Sequence, residues 1–235
     1  IIALLIAILL PALGKAKESA LGTQCLSRNK QLATAWYNFS SENKGELLSP
    51  ESDNYGKAAE TKRLGRFGVR WIFHPGNGNK VESIEAGGMY DYTDGNFELW
   101  RCPGDKTDKK WSFSLNTLLA GHDPGWSSWY PDKMPEDFAF NLAEIRNASD
   151  LLVVGEEDDS RGFNRGSWMI PSEGERWMDP PTTYHMRGTT LAYADGHGEF
   201  YRWQDKATPE IAGFGVTTPG NPDLPYLQEY IHPRE

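Results

Sequence analysis

Ile1-Ile-Ala-Leu-Leu-Ile-Ala-Ile-Leu-Leu-Pro-Ala-Leu13 carries no polar side chain and runs through Gly14-Lys-Ala-Lys-Glu18 into a mixed segment. In that segment Leu21, Cys25, Leu32, Trp36 and Phe39 recur at spacings of three, four or seven. Such spacing lays one apolar stripe along a helix face. The apolar run and the stripe therefore belong to one helix of more than 40 residues, expected to stop near Asn43-Lys44-Gly45, with Pro50 preventing its resumption. Thirteen helical residues reach about 20 Å, short of the roughly 30 Å hydrocarbon core, so a spanning helix needs about seven to ten more apolar residues upstream. A secretory h-region usually ends at a small-residue cleavage site, and here Pro11 leads directly into helical pattern, which favours a membrane anchor.

Over the whole chain 24 Lys and Arg stand against 33 Asp and Glu, a net charge of −9 that repels phosphate backbones and argues against a nucleic-acid partner. Lys15, Lys17, Arg28 and Lys30 against Glu18 make the first 30 residues +3 and leave −12 on the rest. Taken alone, the positive-inside rule places residues 15–30 in the cytoplasm. Nine Trp among 235 residues supply rigid apolar surface incompatible with wholesale disorder. With 24 Gly and 15 Pro, irregular segments around one core are expected. Two cysteines are too few for a disulfide scaffold and lie too far apart for a Cys-x-x-Cys motif.

Residues 51–66 read as polar and irregular, followed by aromatic and apolar residues at Phe67, Trp71, Ile72 and Phe73 and a turn at Pro75-Gly76-Asn77-Gly78. Val81–Ala86 reads as a short helix, Asn96–Cys102 as a strand ended by Pro103-Gly104, Trp111–Leu119 as a second strand, and 121–137 as a long loop. Leu151–Gly155 reads as a buried strand that ends in four acids. Between Thr189 and Trp203, Asp195-Gly196 separates two alternating segments, predicting a hairpin with a two-residue turn. In it Leu191 and Tyr193 share a face, Phe200 faces the core, and His185 precedes the first strand.

His185, Asp195 and His197 with Glu156 and Glu157 offer the ligand types of a zinc or iron site, but at no recognised motif spacing, and hydrogen-bonded structural roles are the plainer reading. A hydrolase using His185, His197 and Glu156 would require those three side chains to converge. Glu156, Glu157, Asp158 and Asp159 concentrate charge that calcium would relieve, against the alternative of a solvated acidic loop. Trp126, Trp129 and Tyr130 are candidate sugar contacts, or else pack on their own domain. Cys25 and Cys102 either form a bridge closing a loop of roughly 77 residues, worth about 4 kcal/mol, or remain free buried thiols. An extracytoplasmic setting favours the bridge. No nucleophile elbow or phosphate loop occurs, and nothing in the sequence demands an enzyme.

Two distant segments together resemble the bacterial type IV pilin-like proteins, in particular the type II secretion pseudopilin-like group. The first is Ile1–Pro50, with Leu-Leu-Pro-Ala-Leu, Cys-Leu-Ser-Arg-Asn-Lys-Gln-Leu and Ser-Glu-Asn-Lys-Gly. In the second, His185 is followed by nine residues and then Asp195-Gly196, after Trp177-Met178-Asp179-Pro180-Pro181. Arg101–Asp105 and Ser112–Asn116 are similar to the family's middle. The resemblance implies an α+β pilin-like fold: a long N-terminal helix on an antiparallel sheet with long loops. Residues 1–45 would form the helix, with the truncated anchor at about 1–14, and 46–235 the globular domain that takes the helix's second half into its core. It also implies a structural, non-enzymatic filament subunit without a resident cofactor. Such a subunit is cut by a prepilin peptidase upstream of this segment, N-methylated, and held single-pass in the inner membrane with its domain periplasmic or extracellular. It then packs helix to helix with other pilin-like subunits. The leader would carry the charge that competes with residues 15–30 for orientation. The competing expectation is a membrane-tethered carbohydrate-binding or adhesion module using the same anchor.

Overall fold

A single helix, α1 (Ile2–Glu42), carries both halves of the N-terminal pattern, with Pro11 inside it. At 1.5 Å per residue its 41 residues extend about 62 Å. The computed structural model describes residues 2–50, 69–73, 80–120, 138–159 and 166–233. Phe67, the polar stretch 51–66, the turn at 75–78 and the loop 121–137 with Trp126, Trp129 and Tyr130 lie outside them. Up to residue 20 the described side chains of α1 are exposed, among them Leu5, Ile8, Leu9 and Leu13. From Cys25 onward the expected stripe is buried, with Leu32, Trp36 and Phe39 in the core. The helix ends as the sequence predicts: Lys44 and Gly45 both take positive φ (59° and 83°), and the Gly45 N–H returns to the Ser40 carbonyl at 2.7 Å. Among the described residues no helix is long and apolar enough to cross a membrane.

The second half of α1 lies on a five-stranded sheet formed by β1 (Phe113–Asn116), β2 (Leu152–Glu156), β3 (Ser167–Trp168), β5 (Gly188–Tyr193) and β6 (Gly198–Arg202), in the order β3-β1-β2-β5-β6. All neighbours are antiparallel except β3, which runs parallel to β1, so the expected antiparallel sheet is mixed at one edge. A separate antiparallel pair joins β4 (Arg176–Trp177) to β7 (Val216–Thr217). The architecture is α+β, consistent with the pilin-like class.

Strand alternation, with a register shift between Leu152 and Val154 that puts these two residues on opposite sides, assigns the two sheet faces. Val154 and Ala192 pack with Leu32 and Trp36 under α1, whereas Leu152, Leu191 and Tyr193 pack with Trp168 and with Leu224 and Leu227 of α3 (Asp223–Glu229). Leu191 and Tyr193 share a face as expected. Phe200 is half-buried, its ring 5.5 Å from that of His185. Asn29, fully buried in the apolar stripe, has its Nδ2 donate to the carbonyls of Val154 (3.2 Å) and Thr190 (2.9 Å). A buried amide is costly unless paired, so these bonds fix the rotation of α1 on β2 and β5.

The expected helix near residue 81 is α2 (Val81–Glu85). Asn96–Cys102 is not a strand: Phe97–Trp100 forms a 3-10 turn, because the Asn96 side chain accepts the Glu98 N–H and caps it. Trp100 then turns inward and packs on Trp71, ring centroids 5.4 Å apart.

The hairpin between β5 and β6 is present, but its loop is Ala194-Asp195-Gly196, three residues rather than two. The Tyr193 N–H donates to the His197 carbonyl and the Gly196 N–H to the Tyr193 carbonyl, both at 3.0 Å. Within that loop Gly196 alone has positive φ, at 87°. Asp195 stays out of that region because its Oδ1 accepts the His197 N–H at 2.9 Å, a bond suited to a tight turn followed by a left-handed glycine. A Cβ at Gly196 would meet nothing within 4 Å, so the cost of a side chain there is conformational alone. Gly196→Val is expected to destabilise by about 1–2 kcal/mol, read as a lower urea midpoint with an unchanged slope; an unaltered midpoint would contradict this turn.

Candidate functional site

Beneath α1, at the β2–β5 seam, four side chains from four separate segments converge. Cys25 comes from α1, Cys102 from the loop after the Phe97–Trp100 turn, Glu156 from the last position of β2, and His185 from the turn before β5. One ligand-type atom from each lies within 4.8 Å of all the others. All four residues are buried, at 3% exposure or less, so the cluster presents no open face to a dissolved substrate.

Local sequence explains each placement. Cys25 sits one helical turn before Asn29 on the buried stripe. Glu156 follows Val154 by two residues and so faces α1 as Val154 does. Cys102 sits in a loop pinned by Ser112: the Cys102 N–H donates to Ser112 Oγ (3.1 Å), which donates to Asp105 Oδ2 (2.6 Å). Arg28 ties that loop to α1 through the Arg101 carbonyl at 2.8 Å. His185 opens a turn whose two middle residues, Met186 and Arg187, both have positive φ (47° and 52°), closed by the Gly188 N–H on the His185 carbonyl at 3.2 Å. The two-residue left-handed turn expected at Asp195-Gly196 is thus found here, built from two residues with side chains. Such strain persists only where surrounding structure enforces it.

Glu156 is the hub. Its Oε2 accepts the Thr190 N–H at 2.6 Å. Its Oε1 accepts from Cys25 Sγ at 2.9 Å and lies 3.2 Å from His185 Nε2. Burial alone would raise the carboxyl's pKa, yet the His185 hydrogen bond and charge, with the Cys25 and Thr190 donors, hold it below the ordinary value. Burial opposes the imidazolium too, but hydrogen bonds with Cys102 and Glu156 and their charges push His185 up to about 10. Burial first, then Cys102 and Glu156, drives the Cys25 thiol well above its usual range. His185 Nδ1 is buried without a hydrogen-bond partner among the described residues. Cys25 and Cys102 are free thiols here, not the favoured bridge, although their sulfurs lie within 4.8 Å of each other.

The other sequence candidates sit elsewhere. Of the four consecutive acids only Glu156 belongs to the cluster. Glu157 Oε2 accepts from Ser114 Oγ at 2.6 Å, Asp158 pairs with Lys109 at 2.8 Å, and Asp159 is buried. These acids do not gather around one calcium position among the described residues. Asp195 and His197 pair with each other at the hairpin tip, at 2.6 Å, and His197 stacks on Tyr193. His185, His197 and Glu156 therefore do not form the hydrolase constellation. The nine-residue spacing from His185 to Asp195 is the length of β5 with its flanking turns, one end in the buried cluster and the other at the solvent-facing tip.

The parts that sequence reasoning missed are Asn29, Thr190 and the joining of both cysteines to His185 and Glu156. Two signals point to the cluster: Asn29 interrupts the apolar stripe one helical turn after Cys25, and an acid directly extends a buried apolar strand. No protein-family model, no curated protein and no solved structure matches the chain.

Proposed function

We propose that the protein is a pseudopilin-like structural subunit of an envelope filament of the type II secretion or type IV pilus kind, held in the bacterial inner membrane by its N-terminal helix before assembly. The observation that carries this reading is the division of α1 into an arm whose apolar side chains are exposed and a second half locked into the domain. Along this arm of roughly 28 Å over residues 2–20, the described side chains are all exposed. Exposed apolar surface of that extent marks a membrane or protein contact. Lipid and the arms of neighbouring subunits are the two surroundings that cover it in succession, with the domain carried outside.

A photo-crosslinking residue at Leu9, in the full-length protein with its native leader, is expected to give a ladder of multimers in envelope fractions. Mass spectrometry is expected to find an N-terminus created upstream of the apolar run by prepilin peptidase. Crosslinks confined to lipid, with no shortening beside active peptidase, would overturn the filament reading. Because Leu5 lies exposed on the same arm, Leu5→Lys, with the crosslinker kept at position 9, is expected to abolish the ladder and weaken membrane retention while the domain's melting temperature stays unchanged. A lowered melting temperature would mean that the arm packs on its own domain.

A further inference from the structure

We propose that Cys25, Cys102, Glu156 and His185 form a four-ligand transition-metal site, of the chemistry that takes Zn2+, which clasps α1 to the sheet. The proposal is independent of the filament reading. Two sulfurs, an imidazole nitrogen and a carboxylate oxygen are the donors of a closed structural zinc site, and the softness of thiolate argues against calcium or magnesium. Tetrahedral bonds of about 2.0–2.3 Å place ligand atoms about 3.3–3.8 Å apart. The observed separations of 2.9 Å and 3.2 Å at Glu156 Oε1, with all four atoms within 4.8 Å, require only small side-chain adjustments to reach that geometry.

The surroundings are arranged as they are around metal ligands. Glu156 has Oε2 held by the Thr190 N–H at 2.6 Å and the Thr189 hydroxyl at 3.4 Å, which leaves Oε1 as a single inward donor. Cys102 Sγ accepts the Gly104 N–H at 3.3 Å, a bond that strengthens when the sulfur is a thiolate. His185 is aimed inward by the left-handed Met186-Arg187 pair, strain that a metal–nitrogen bond would offset. Cys25 and Glu156 alone are 131 positions apart in sequence, so one ion would crosslink the helix to the sheet. On binding, each thiol yields its proton to solvent, as does any proton on His185 Nε2. Zn–S, Zn–N and Zn–O bonds form, and no oxidant or reductant takes part.

The full chain, reduced and stripped with chelator, should take up one Zn2+ per molecule with release of protons and a raised melting temperature. With Co2+ it should show thiolate-to-metal charge-transfer absorption and the intense visible bands of tetrahedral cobalt. Cys25→Ser and Cys102→Ser should each lose about half of the charge-transfer band, or all of it where Co2+ no longer binds. Should either variant fail to fold, the unsubstituted chain's cobalt spectrum decides alone. A reduced, folded chain that binds neither ion stoichiometrically, or binds cobalt without sulfur absorption, would overturn the proposal. A metal-free Cys25–Cys102 disulfide in the protein isolated from its envelope would overturn it too.

Discussion

Replacing Glu156 by Gln is expected to destabilise the metal-free domain by about 3–5 kcal/mol, the usual cost of removing one partner from a buried ion pair. The carboxylate is fully buried and meets four groups at once: the Cys25 thiol, the His185 imidazole, the Thr190 N–H and the Thr189 hydroxyl. Gln keeps the shape and one acceptor oxygen, but its amide nitrogen points a donor at a site built to donate. His185 loses the charge that stabilises its protonated form. A comparison pair joins α1 to the Phe97–Trp100 turn: Arg28 meets Glu98 at 3.1 Å, with the Glu98 side chain 81% exposed. Glu98→Gln is expected to cost no more than about 1 kcal/mol, because solvent screens that pair. Urea denaturation of both variants in chelator tests the contrast. Equal small losses would mean that Glu156 is not the hub of the cluster.

Trp36→Ala is expected to cost about 3–5 kcal/mol and to release the second half of α1 from the sheet. Trp36 is fully buried in the cluster that also holds Leu32, Val154 and Ala192, and it is among the largest side chains with no solvent contact. Its neighbour Tyr37 is 49% exposed. Tyr37→Ala is expected to change stability by no more than about 0.5 kcal/mol. Hydrogen exchange separates the outcomes: for Trp36→Ala, amides of residues 25–40 should lose protection before those of β2 and β5. Concerted loss across helix and sheet would make α1 inseparable from the sheet in unfolding.

The long helix was legible because its evidence is local. Periodicity from Leu21 to Phe39 and the Gly45 stop depend on neighbouring residues alone, and the structure follows both. The buried strand at residue 152 and the hairpin after β5 were legible for the same reason. Phe97–Trp100 was misread because a capped 3-10 turn buries Trp100 with the same short aromatic spacing that a strand would display. The cluster was legible only in parts. The sequence displays its ligand types but sets Glu156 beside the acids that follow it, whereas the register shift between Leu152 and Val154 sends it under α1. Its meeting with His185 depends on β2 lying beside β5, a pairing between residues more than 30 positions apart that no local pattern encodes.

That long separation bears on the order in which the chain folds. The cluster exists only after α1, the Cys102 loop, β2 and β5 have all arrived, and contacts of such separation close late because each carries a loop-closure cost. Both thiols are hidden once it closes. Thiol accessibility therefore works as a clock for the final docking of the helix, and a nascent chain with reactive Cys25 and Cys102 is one whose helix has not yet seated.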